Sequence, residues 1–310
     1  MNVAVLGGAG FIGSHIAEHW LARGAGVLCF DNLSTGRREN VPPGAGWCEG
    51  DICSAEDLRT AFRIFRPEVV YHEAAQMDVR KSVDDPMFDA LTNIGGSVRV
   101  LQACVEHGVR KVVYASTGGA VYGQPQFLPI TEDHPINPAC PYGISKHTVE
   151  HYLALWKDLY GLDYTVLRYP NVYGPRQNPH GEAGVVSIFT CGLRAVYRGV
   201  TVFGSGDETR DYVHVSDVAW ANVLAATSAS GQIVNIGSGI GTSTKQILAE
   251  VAGALSVSVT PEQKALRPGE VQHIALDATR ARELLGWEPT IGIEQGIKET
   301  VEYIIRNEGI

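Results

Sequence analysis

The start of the chain holds the pattern that most constrains the fold. The apolar run VAVLG is followed by the glycine-rich segment GGAGFIG at residues 7–13, and Ile12, Ile16 and Trp20 then recur at helical spacing. This order predicts a buried strand, a tight turn and an amphipathic helix. Such a unit is typical of an α/β fold with a parallel sheet, because the chain must cross over through a helix before the next parallel strand can pair.

Apolar runs and helical patterns continue to alternate up to about residue 170. The runs GVLCFD, EVVYHEAA, KVVYAS and YTVLRYPN are predicted strands, and two of the predicted helices are long, at residues 86–108 and 144–160. Strands that alternate with helices in this way require right-handed crossovers. We therefore predict an α/β fold with a doubly wound parallel sheet of the Rossmann type.

The pattern changes after residue 170, where Pro- and Gly-rich loops such as GPRQNPHGEAG separate shorter elements. The run IVNIGSG is a predicted strand that returns to the main sheet near residues 232–238. We expect a Rossmann domain over residues 1–170, completed by this returning segment, and a smaller α/β lobe for the substrate over residues 171–310.

The composition narrows the classes of partner. A net charge of -9 provides no basic stripe for a nucleic-acid backbone, so no nucleic-acid partner is expected. The six cysteines include no CxxC pair, which favours free thiols in a reducing compartment over disulfides or a metal site. The chain enters a strand at once, and no apolar run approaches the length of a membrane span. We expect a cytoplasmic protein that binds neither a membrane nor a metal.

The glycine-rich turn and one aspartate form a predicted dinucleotide site. Gly7 permits the tight turn, Gly10 lets the backbone approach a pyrophosphate, and Gly13 allows the helix to pack closely on the sheet. The helix N-terminus then faces the anion. Asp31 ends the second predicted strand, where a carboxylate accepts hydrogen bonds from the adenosine ribose and repels a 2′-phosphate. NAD is therefore favoured over NADP.

A tyrosine and a lysine are the predicted catalytic pair. Tyr142 and Lys146 stand four residues apart at the start of the second long helix, so their side chains share one face. The ammonium group, together with the positive ring of an oxidised nicotinamide, would stabilise a phenolate. This arrangement predicts Tyr142 as a general base.

Motifs along nearly the whole chain carry a family resemblance. They are GGAGFIGSH, DNLSTG, GDI, HEAA, YGISK, LRYPNVYGPRQ, TRDYVHVSDVA, NIGSG, RPGE and LGWEP. With these motifs the chain resembles the extended short-chain dehydrogenase/reductase family, and within its nucleotide-sugar branch the UDP-glucose 4-epimerases. The resemblance implies an isomerase that uses NAD to interconvert UDP-glucose and UDP-galactose through a 4-keto sugar, with room for N-acetyl forms. It also implies a homodimer formed through the two long helices.

The resemblance assigns binding roles residue by residue. Besides the three glycines, it implies cofactor contacts from Phe11, Ile12, Asp31, Asn32, Asp51, Ile52, Ala74, Ala75, Asn93, Tyr142, Lys146, Tyr169 and Pro170. It implies sugar-nucleotide contacts from Thr117, Asn171, Phe203, Arg210, Arg267 and Ile274. The planar fork of arginine suits a diphosphate, which agrees with the two arginines in this set. Arg176 is a weaker candidate.

The chain departs from the family pattern at the hydroxyl that binds the sugar 4-oxygen. Family members commonly have a serine four residues before the tyrosine of VYG, and here that position is Gly118. Thr117 supplies the hydroxyl if the loop shifts by one residue, which two adjacent glycines make easy. Ser116 is the alternative. We predict Thr117, with Tyr142 and Lys146, as the third catalytic residue.

Three other functions compete with this one. Sugar-nucleotide 4,6-dehydratases resemble the chain but place Asp-Glu before VYG, where this sequence has Gly119 and Ala120. A UDP-glucuronate 4-epimerase or decarboxylase remains open, because hexose and hexuronate differ only at C6. A non-catalytic NAD-sensing regulator on the same fold is disfavoured by the intact Tyr142–Lys146 pair.

One position bears on the breadth of substrates. In epimerases of this family, the residue seven positions after the RPG arginine gates the sugar pocket, and a tyrosine there restricts the enzyme to plain hexoses. Counting from Arg267 reaches Ile274, which is smaller. The alternating run HIALD equally predicts that Ile274 packs in a strand. Both interpretations stay open at the level of the sequence.

Overall fold

The computed structural model describes residues 1–179, 184–194, 199–266 and 271–307. The strands within these ranges are β1 (Asn2–Leu6), β2 (Gly26–Asp31), β3 (Gly46–Glu49), β4 (Val69–His72), β5 (Lys111–Thr117), β6 (Asp163–Tyr169), β7 (Asn171–Tyr173), β8 (Thr201–Phe203), β9 (Thr209–His214), β10 (Gln232–Asn235), β11 (Gly241–Ser243) and β12 (Glu262–Lys264). Most of them are short and apolar, as expected for strands covered on both faces.

The central sheet consists of seven described strands in the order β10-β6-β5-β4-β1-β2-β3, and every neighbouring pair is parallel. The order reverses between β1 and β4, which is where ligands bind in open sheets of this kind. Two smaller sheets, β11-β9-β7 and β12-β8, follow β6 along the chain. The predicted doubly wound parallel sheet is confirmed.

Helices cover both faces of the central sheet. They are α1 (Phe11–Leu21), α2 (Ala55–Phe65), α3 (Val79–Asp84), α4 (Pro86–Ala90), α5 (Ser97–Glu106), α6 (Pro141–Tyr160), α7 (Val185–Arg194), α8 (Val215–Ala225), α9 (Thr244–Leu255), α10 (Thr279–Leu285) and α11 (Ile293–Asn307). A core of β-strand valines with α1, α8 and α10 lies on one face, and α2, α5 and α6 pack on the other. A third core joins α7, α9 and α11 to the smaller sheets.

Two details differ from the sequence prediction. Strand β3 lies at the edge of the sheet and was not predicted, because GWCE is short and only partly buried. Helix α6 begins at Pro141 rather than near residue 144, since proline is favoured at the first position of a helix. Among the described residues, no helix combines the length and the apolar character needed to cross a bilayer.

Candidate active site

The turn between β1 and α1 forms a cradle in which side chains have no room. Gly7 has φ +85°, and a Cβ at this position would lie 2.8 Å from the backbone nitrogen of Ala74. A Cβ at Gly13 would collide with the carbonyl oxygen of Gly7. Gly10 is the N-cap of α1, whose first N–H groups have no acceptor within the helix. The cradle therefore suits an anion such as a pyrophosphate.

Acidic side chains flank this cradle at the ends of β2 and β3. The Asp31 carboxylate is buried and accepts hydrogen bonds from the backbone nitrogens of Ala9 (3.0 Å) and Leu33 (2.8 Å). Each of its oxygens keeps a lone pair for a further donor, such as a ribose hydroxyl. Asn32 Nδ2 donates to Asp51 Oδ2 over 3.1 Å, so these two side chains form one polar edge.

Asn93 stabilises the loop after β4 rather than standing free in the cleft. It lies in a π-helical segment, Leu91–Gly96, of the kind often found at functional sites. Its Oδ1 accepts from the backbone nitrogen of Gln76 (2.8 Å), and its Nδ2 donates to the Gln76 carbonyl (2.9 Å). Ala74 and Ala75 precede Gln76, so Asn93 fixes the backbone that passes next to the cradle. The neighbouring Ile52 is buried in the core.

The predicted catalytic pair lies in the first two turns of α6. Lys146 is buried, and its Nζ donates to the carbonyl oxygen of Ala115 at 2.8 Å and stands 6.0 Å from the centroid of the Tyr142 ring. Burial lowers the pKa of the Lys146 ammonium to about 8, although the negative charge of Glu73 and other carboxylates offsets part of this effect. At neutral pH the lysine is therefore mainly charged.

The protein alone does not make Tyr142 a strong base. Burial raises the pKa of the Tyr142 phenol above its usual value, and the nearby Cys140, Asp89 and Glu73 raise it further. Two positive charges, the lysine and the nicotinamide ring, are predicted to stabilise the phenolate. With the lysine in place, the pKa still lies above the usual range, so a further positive charge is needed to lower it.

A buried carboxylate under α6 was missed by the sequence analysis. Asp89 accepts hydrogen bonds from Ser145 Oγ (2.7 Å), Gln76 Nε2 (3.0 Å) and Asn93 Nδ2 (3.0 Å). Ser145 lies between the two predicted catalytic residues, so Asp89 joins their helix to the loop after β4. One signal was available, because Asp89 and Asn93 stand four residues apart on one helical face.

Glu73 is a second missed carboxyl, at the end of β4. Its Oε1 accepts from the Tyr169 hydroxyl at 3.1 Å, and that hydroxyl accepts from Asn222 Nδ2 at 2.7 Å. Burial raises the pKa of Glu73 to about 7, against the opposing effects of Lys146 and the Tyr169 hydrogen bond. A charged residue directly after a buried strand, in HEAA, was the available signal. Pro170 follows Tyr169 and leads into β7.

The two candidate hydroxyls at the end of β5 differ in their surroundings. Ser116 is buried, and its Oγ donates to Glu150 Oε1 at 2.6 Å. Thr117 is the half-buried last residue of β5, and its hydroxyl forms no hydrogen bond with the described part of the chain. The Ser116 hydroxyl therefore already donates its hydrogen bond within the protein, whereas the Thr117 hydroxyl can still donate one to a ligand.

Glu150 belongs to a buried ion pair with Arg168. The Arg168 guanidinium donates to both carboxylate oxygens, Nε to Oε1 at 2.9 Å and Nη2 to Oε2 at 2.6 Å. Its Nη1 donates to the Tyr122 hydroxyl at 2.8 Å, and Tyr122 donates to Asn235 Oδ1 at 2.7 Å. Ser116 and Tyr122 bracket the end of β5 at Thr117 and the loop of residues 118–121, so the ion pair holds both ends of this segment.

Two of the predicted substrate residues, Asn171 and Arg210, lie on the sheet β11-β9-β7. Asn171 begins β7 and pairs in register with Tyr212 of β9, two residues beyond Arg210. The half-buried Arg210 donates through Nη1 to the carbonyl oxygens of Thr209 (3.0 Å) and Gln272 (3.2 Å). These backbone contacts orient the guanidinium.

Phe203, Arg267 and Arg176 are the further residues predicted to contact the sugar nucleotide. Phe203 ends β8 and pairs with Lys264 of β12. Arg267 follows three residues later and lies outside the described residues. Arg176 donates bidentately to the Glu18 carboxylate of α1, with the shorter contact at 2.6 Å. Arg176 thus connects the loop after β7 to α1.

Ile274 lies against the loop that follows β5. Its side chain is buried in an apolar cluster with Val121, Tyr122, Ile130 and Leu276. This burial agrees with the packing interpretation, and no described contact tests the role as a gate. The gate therefore stays a prediction.

Known proteins resemble the chain over its whole length. A profile of the NAD dependent epimerase/dehydratase family matches residues 3–237. The chain is 47% identical over 309 residues to a UDP-glucose 4-epimerase of Mycolicibacterium smegmatis, with 98% of each chain covered.

Solved structures agree. A Thermotoga maritima UDP-glucose 4-epimerase, solved with UDP-glucose, has a TM-score of 0.96 and 45% identity, covering 99% of this chain and 100% of that one. A Thermus thermophilus UDP-glucose 4-epimerase in complex with NAD has a TM-score of 0.93, at the same identity and coverage. A parallel sheet of this kind would not by itself identify a family. The family match over residues 3–237 and the 47% identity to a relative over nearly the whole chain show that the chain belongs to the NAD dependent epimerase/dehydratase family.

Proposed function

We propose that this chain is an NAD-dependent isomerase that interconverts UDP-glucose and UDP-galactose at C4 through a 4-keto sugar. The observation that carries the proposal is the Tyr142–Lys146 pair in the first turns of α6, with the lysine Nζ 6.0 Å from the centroid of the tyrosine ring. The UDP-glucose 4-epimerases among the similar proteins support the same substrate class.

The residues of the cleft fit NAD. In the cradle of Gly7, Gly10 and Gly13, a Cβ would press on neighbouring backbone atoms, so the turn stays tight and its backbone can approach a pyrophosphate. The first turn of α1, with Phe11 and Ile12, supplies N–H donors and the positive end of the helix dipole. A 2′-phosphate next to the buried Asp31 carboxylate would be repelled, and the same site accepts two ribose hydroxyls.

The remaining cofactor residues follow the edge of the sheet. Asn32 and Asp51 form the polar edge next to the adenosine, with Ile52 behind it. Ala74 and Ala75, held through Asn93, line the middle of the cleft. Tyr169 and Pro170, at the end of β6, lie where the nicotinamide would bind. When bound, NAD supplies the hydride acceptor for C4 and a positive ring that favours the Tyr142 phenolate.

In the proposed mechanism, Tyr142 removes the proton from the sugar 4-hydroxyl as C4 is oxidised. Lys146 holds the nicotinamide ribose and stabilises the phenolate through its charge. Thr117 donates its hydroxyl to the 4-oxygen and keeps that atom within reach of the phenol. Tyr142 then returns the proton after the keto sugar has turned its other face, and the cofactor is regenerated in each turnover.

The sugar turns while the nucleotide stays bound, so the fixed contacts belong at the diphosphate. We assign this anchoring to Arg210 and Arg267, with Asn171 and Phe203 next to the uridine. The half-buried Arg210, oriented by two carbonyl oxygens, suits a bidentate contact with phosphate oxygens. A dehydration of the keto sugar is disfavoured, because Gly119 and Ala120 provide neither acid nor base.

We further propose a domain division and a homodimer. The Rossmann domain comprises residues 1–170 and the returning strand β10, and residues 171–310 supply the substrate lobe. Exposed apolar side chains on α4, α6 and the π-helical segment form a patch that a second copy of the chain would cover, including Met87, Leu91, Ile144, Leu155 and Leu159. Six free thiols favour a reducing compartment, and we place the protein in the cytoplasm.

The decisive experiment is incubation of the purified protein with UDP-glucose, UDP-galactose, their N-acetyl forms and UDP-glucuronate, followed by chromatography of the products. We expect UDP-glucose and UDP-galactose to reach the same equilibrium mixture from either side. Tyr142→Phe is the matched control, because it removes the base and leaves the glycine cradle intact. It should retain bound NAD and lose turnover by about 10²–10⁴-fold. Conversion of UDP-glucuronate alone, or near wild-type turnover by the variant, would refute the assignment.

A further inference from the structure

Gly118 is buried against a leucine that lies far along the chain. A Cβ at position 118 would collide with Leu276 Cδ1 and lie 3.0 Å from its Cδ2. The φ of Gly118 is outside the left-handed region, so the backbone alone does not demand glycine there. At the adjacent Gly119, the nearest atom to a Cβ is Thr117 Oγ1, at 3.8 Å. Leu276 thus excludes a side chain from position 118 but not from the adjacent position 119.

Leu276 has no room to retreat. Its side chain is fully buried, and a Cβ at Gly237 would lie 2.5 Å from Leu276 Cβ on the other side. The backbone around it is fixed as well, because its nitrogen donates to Asp211 Oδ2 at 2.9 Å. Residue 277 donates through its backbone nitrogen to the Ile130 carbonyl at 2.8 Å. The leucine therefore fits between two positions that both lack a Cβ.

We propose that Leu276 is a positioning residue for the hydroxyl that binds the sugar 4-oxygen. By filling the space at position 118, it fixes the backbone that follows Thr117 and keeps any competing side chain out of that place. Ser116 donates to Glu150, so Thr117 is left as the hydroxyl available to the substrate. This inference rests on the proposed function and deepens it.

The same contact couples the loop to the substrate lobe. Asp211, which accepts from the Leu276 nitrogen, also accepts from Ser238 Oγ (2.6 Å) and from the Gly239 nitrogen (3.1 Å). Arg210, the proposed diphosphate anchor, is its neighbour in β9. The distance between the diphosphate anchor and the catalytic hydroxyl is therefore set through Leu276.

The test compares Gly118→Ala, Leu276→Ala and the double variant in the full chain, with Gly119→Ala as the matched control. Overpacking should make Gly118→Ala lower the Tm by roughly 2–10 °C, whereas Gly119→Ala leaves it nearly unchanged. In the Leu276→Ala background, Gly118→Ala should cost nothing further. An equal loss in both backgrounds, or a Gly118→Ala that is tolerated as well as Gly119→Ala, would overturn the proposal.

Kinetics distinguish positioning from a merely structural role. Gly118→Ala should lower kcat for UDP-glucose roughly 10- to 100-fold, with little change in KM and with NAD still bound. The double variant should have a higher kcat than Gly118→Ala, and Leu276→Met should preserve kcat because it conserves volume. Unchanged kcat in Gly118→Ala would refute positioning. Failure of the wild-type protein to epimerise UDP-glucose would remove the proposed function, and the Tm comparison would still decide whether Leu276 excludes a side chain at position 118.

Discussion

Replacement of Arg168 by methionine would test the ion pair that holds both ends of the catalytic loop. The two side chains of this pair are almost fully buried, with 3% exposure for Arg168 and 2% for Glu150. Methionine has a similar reach but no charge and no donor. The variant would leave the Glu150 carboxylate buried, with Ser116 and His147 as its remaining partners in the described part of the chain.

The expected loss of unfolding free energy can be obtained in two ways. Removal of one partner from a buried pair typically costs about 3–5 kcal/mol, because the other charge is left uncompensated. Burial alone would raise the pKa of Glu150, but hydrogen bonds from Arg168, His147 and Ser116 outweigh it and hold the pKa at about 2. The difference from the ordinary value of 4.5 corresponds to about 3 kcal/mol for all these partners together against the effect of burial, which agrees with the first figure in order of magnitude. We therefore expect a loss of about 3 kcal/mol at pH 7.

Urea unfolding followed by tryptophan fluorescence measures this loss. Arg59→Met is the matched control, since Arg59 pairs with Glu56 on the surface and both side chains are exposed. That change should cost less than about 1 kcal/mol. The stabilisation by Glu150 in the wild-type protein should be complete above pH 4.5 and decline as the pH falls from 4.5 toward 2, because its folded-state pKa is depressed.

A loss below about 1 kcal/mol for Arg168→Met, similar to that of the surface control, would show that the buried pair contributes no more to stability than an exposed one. The functional consequence can be measured on the same sample. Because Ser116 and Tyr122 lie on either side of Thr117 and the loop after it, Arg168→Met should lower kcat by a larger factor than it lowers the affinity for NAD. An equal fold-change in kcat and in the affinity for NAD would show that the whole domain, and not the loop, is disturbed.

Three further predictions concern the cofactor, the hydroxyl and the sugar pocket. Purified protein should carry NAD, and Asp31→Ala should weaken its preference over NADP; equal or tighter binding of NADP by the unmutated protein would contradict this. Thr117→Val should lower kcat clearly, whereas Ser116→Ala should matter less, and the reverse order in steady-state kinetics would identify the wrong hydroxyl. If Ile274 is the gate, both UDP-glucose and UDP-N-acetylglucosamine are substrates, and Ile274→Tyr should depress only the N-acetyl activity. Equal loss for both sugars would remove the gate.

The fold could be predicted from the sequence because its signals are local. Each parallel strand is a short apolar run, and each helix follows within a few residues at its own period. The exception, β3, is a partly buried edge strand in which half of the residues carry no apolar signal. The start of α6 was misplaced by three residues because the helical period is visible only from Ile144 onward, although Pro141 marked the first turn.

The parts of the candidate site that the sequence predicts are those whose functional residues lie close together in one segment. The glycine cradle and the Tyr142–Lys146 spacing each lie within a few residues, so the sequence shows them directly. Asp89 and Glu73 were missed, because the environment of a carboxyl group depends on the residues that pack against it in the folded chain. Their burial and their hydrogen-bond partners, Ser145 and Tyr169, come from elements far away in the sequence, and the order of strands in the sheet brings them together.

Gly118 illustrates the same limit and its consequence for mechanism. From the sequence, glycine at this position was a missing hydroxyl, and two glycines suggested a loop that shifts to bring Thr117 into place. In the structure, the position is filled from the side by Leu276, so glycine there is a requirement of packing and not a sign of freedom. A flexible loop would pay conformational entropy each time it ordered around the sugar. In our proposal, a loop fixed by a buried leucine would hold the Thr117 hydroxyl in place before the sugar binds, so that little ordering remains to be done when the keto sugar turns.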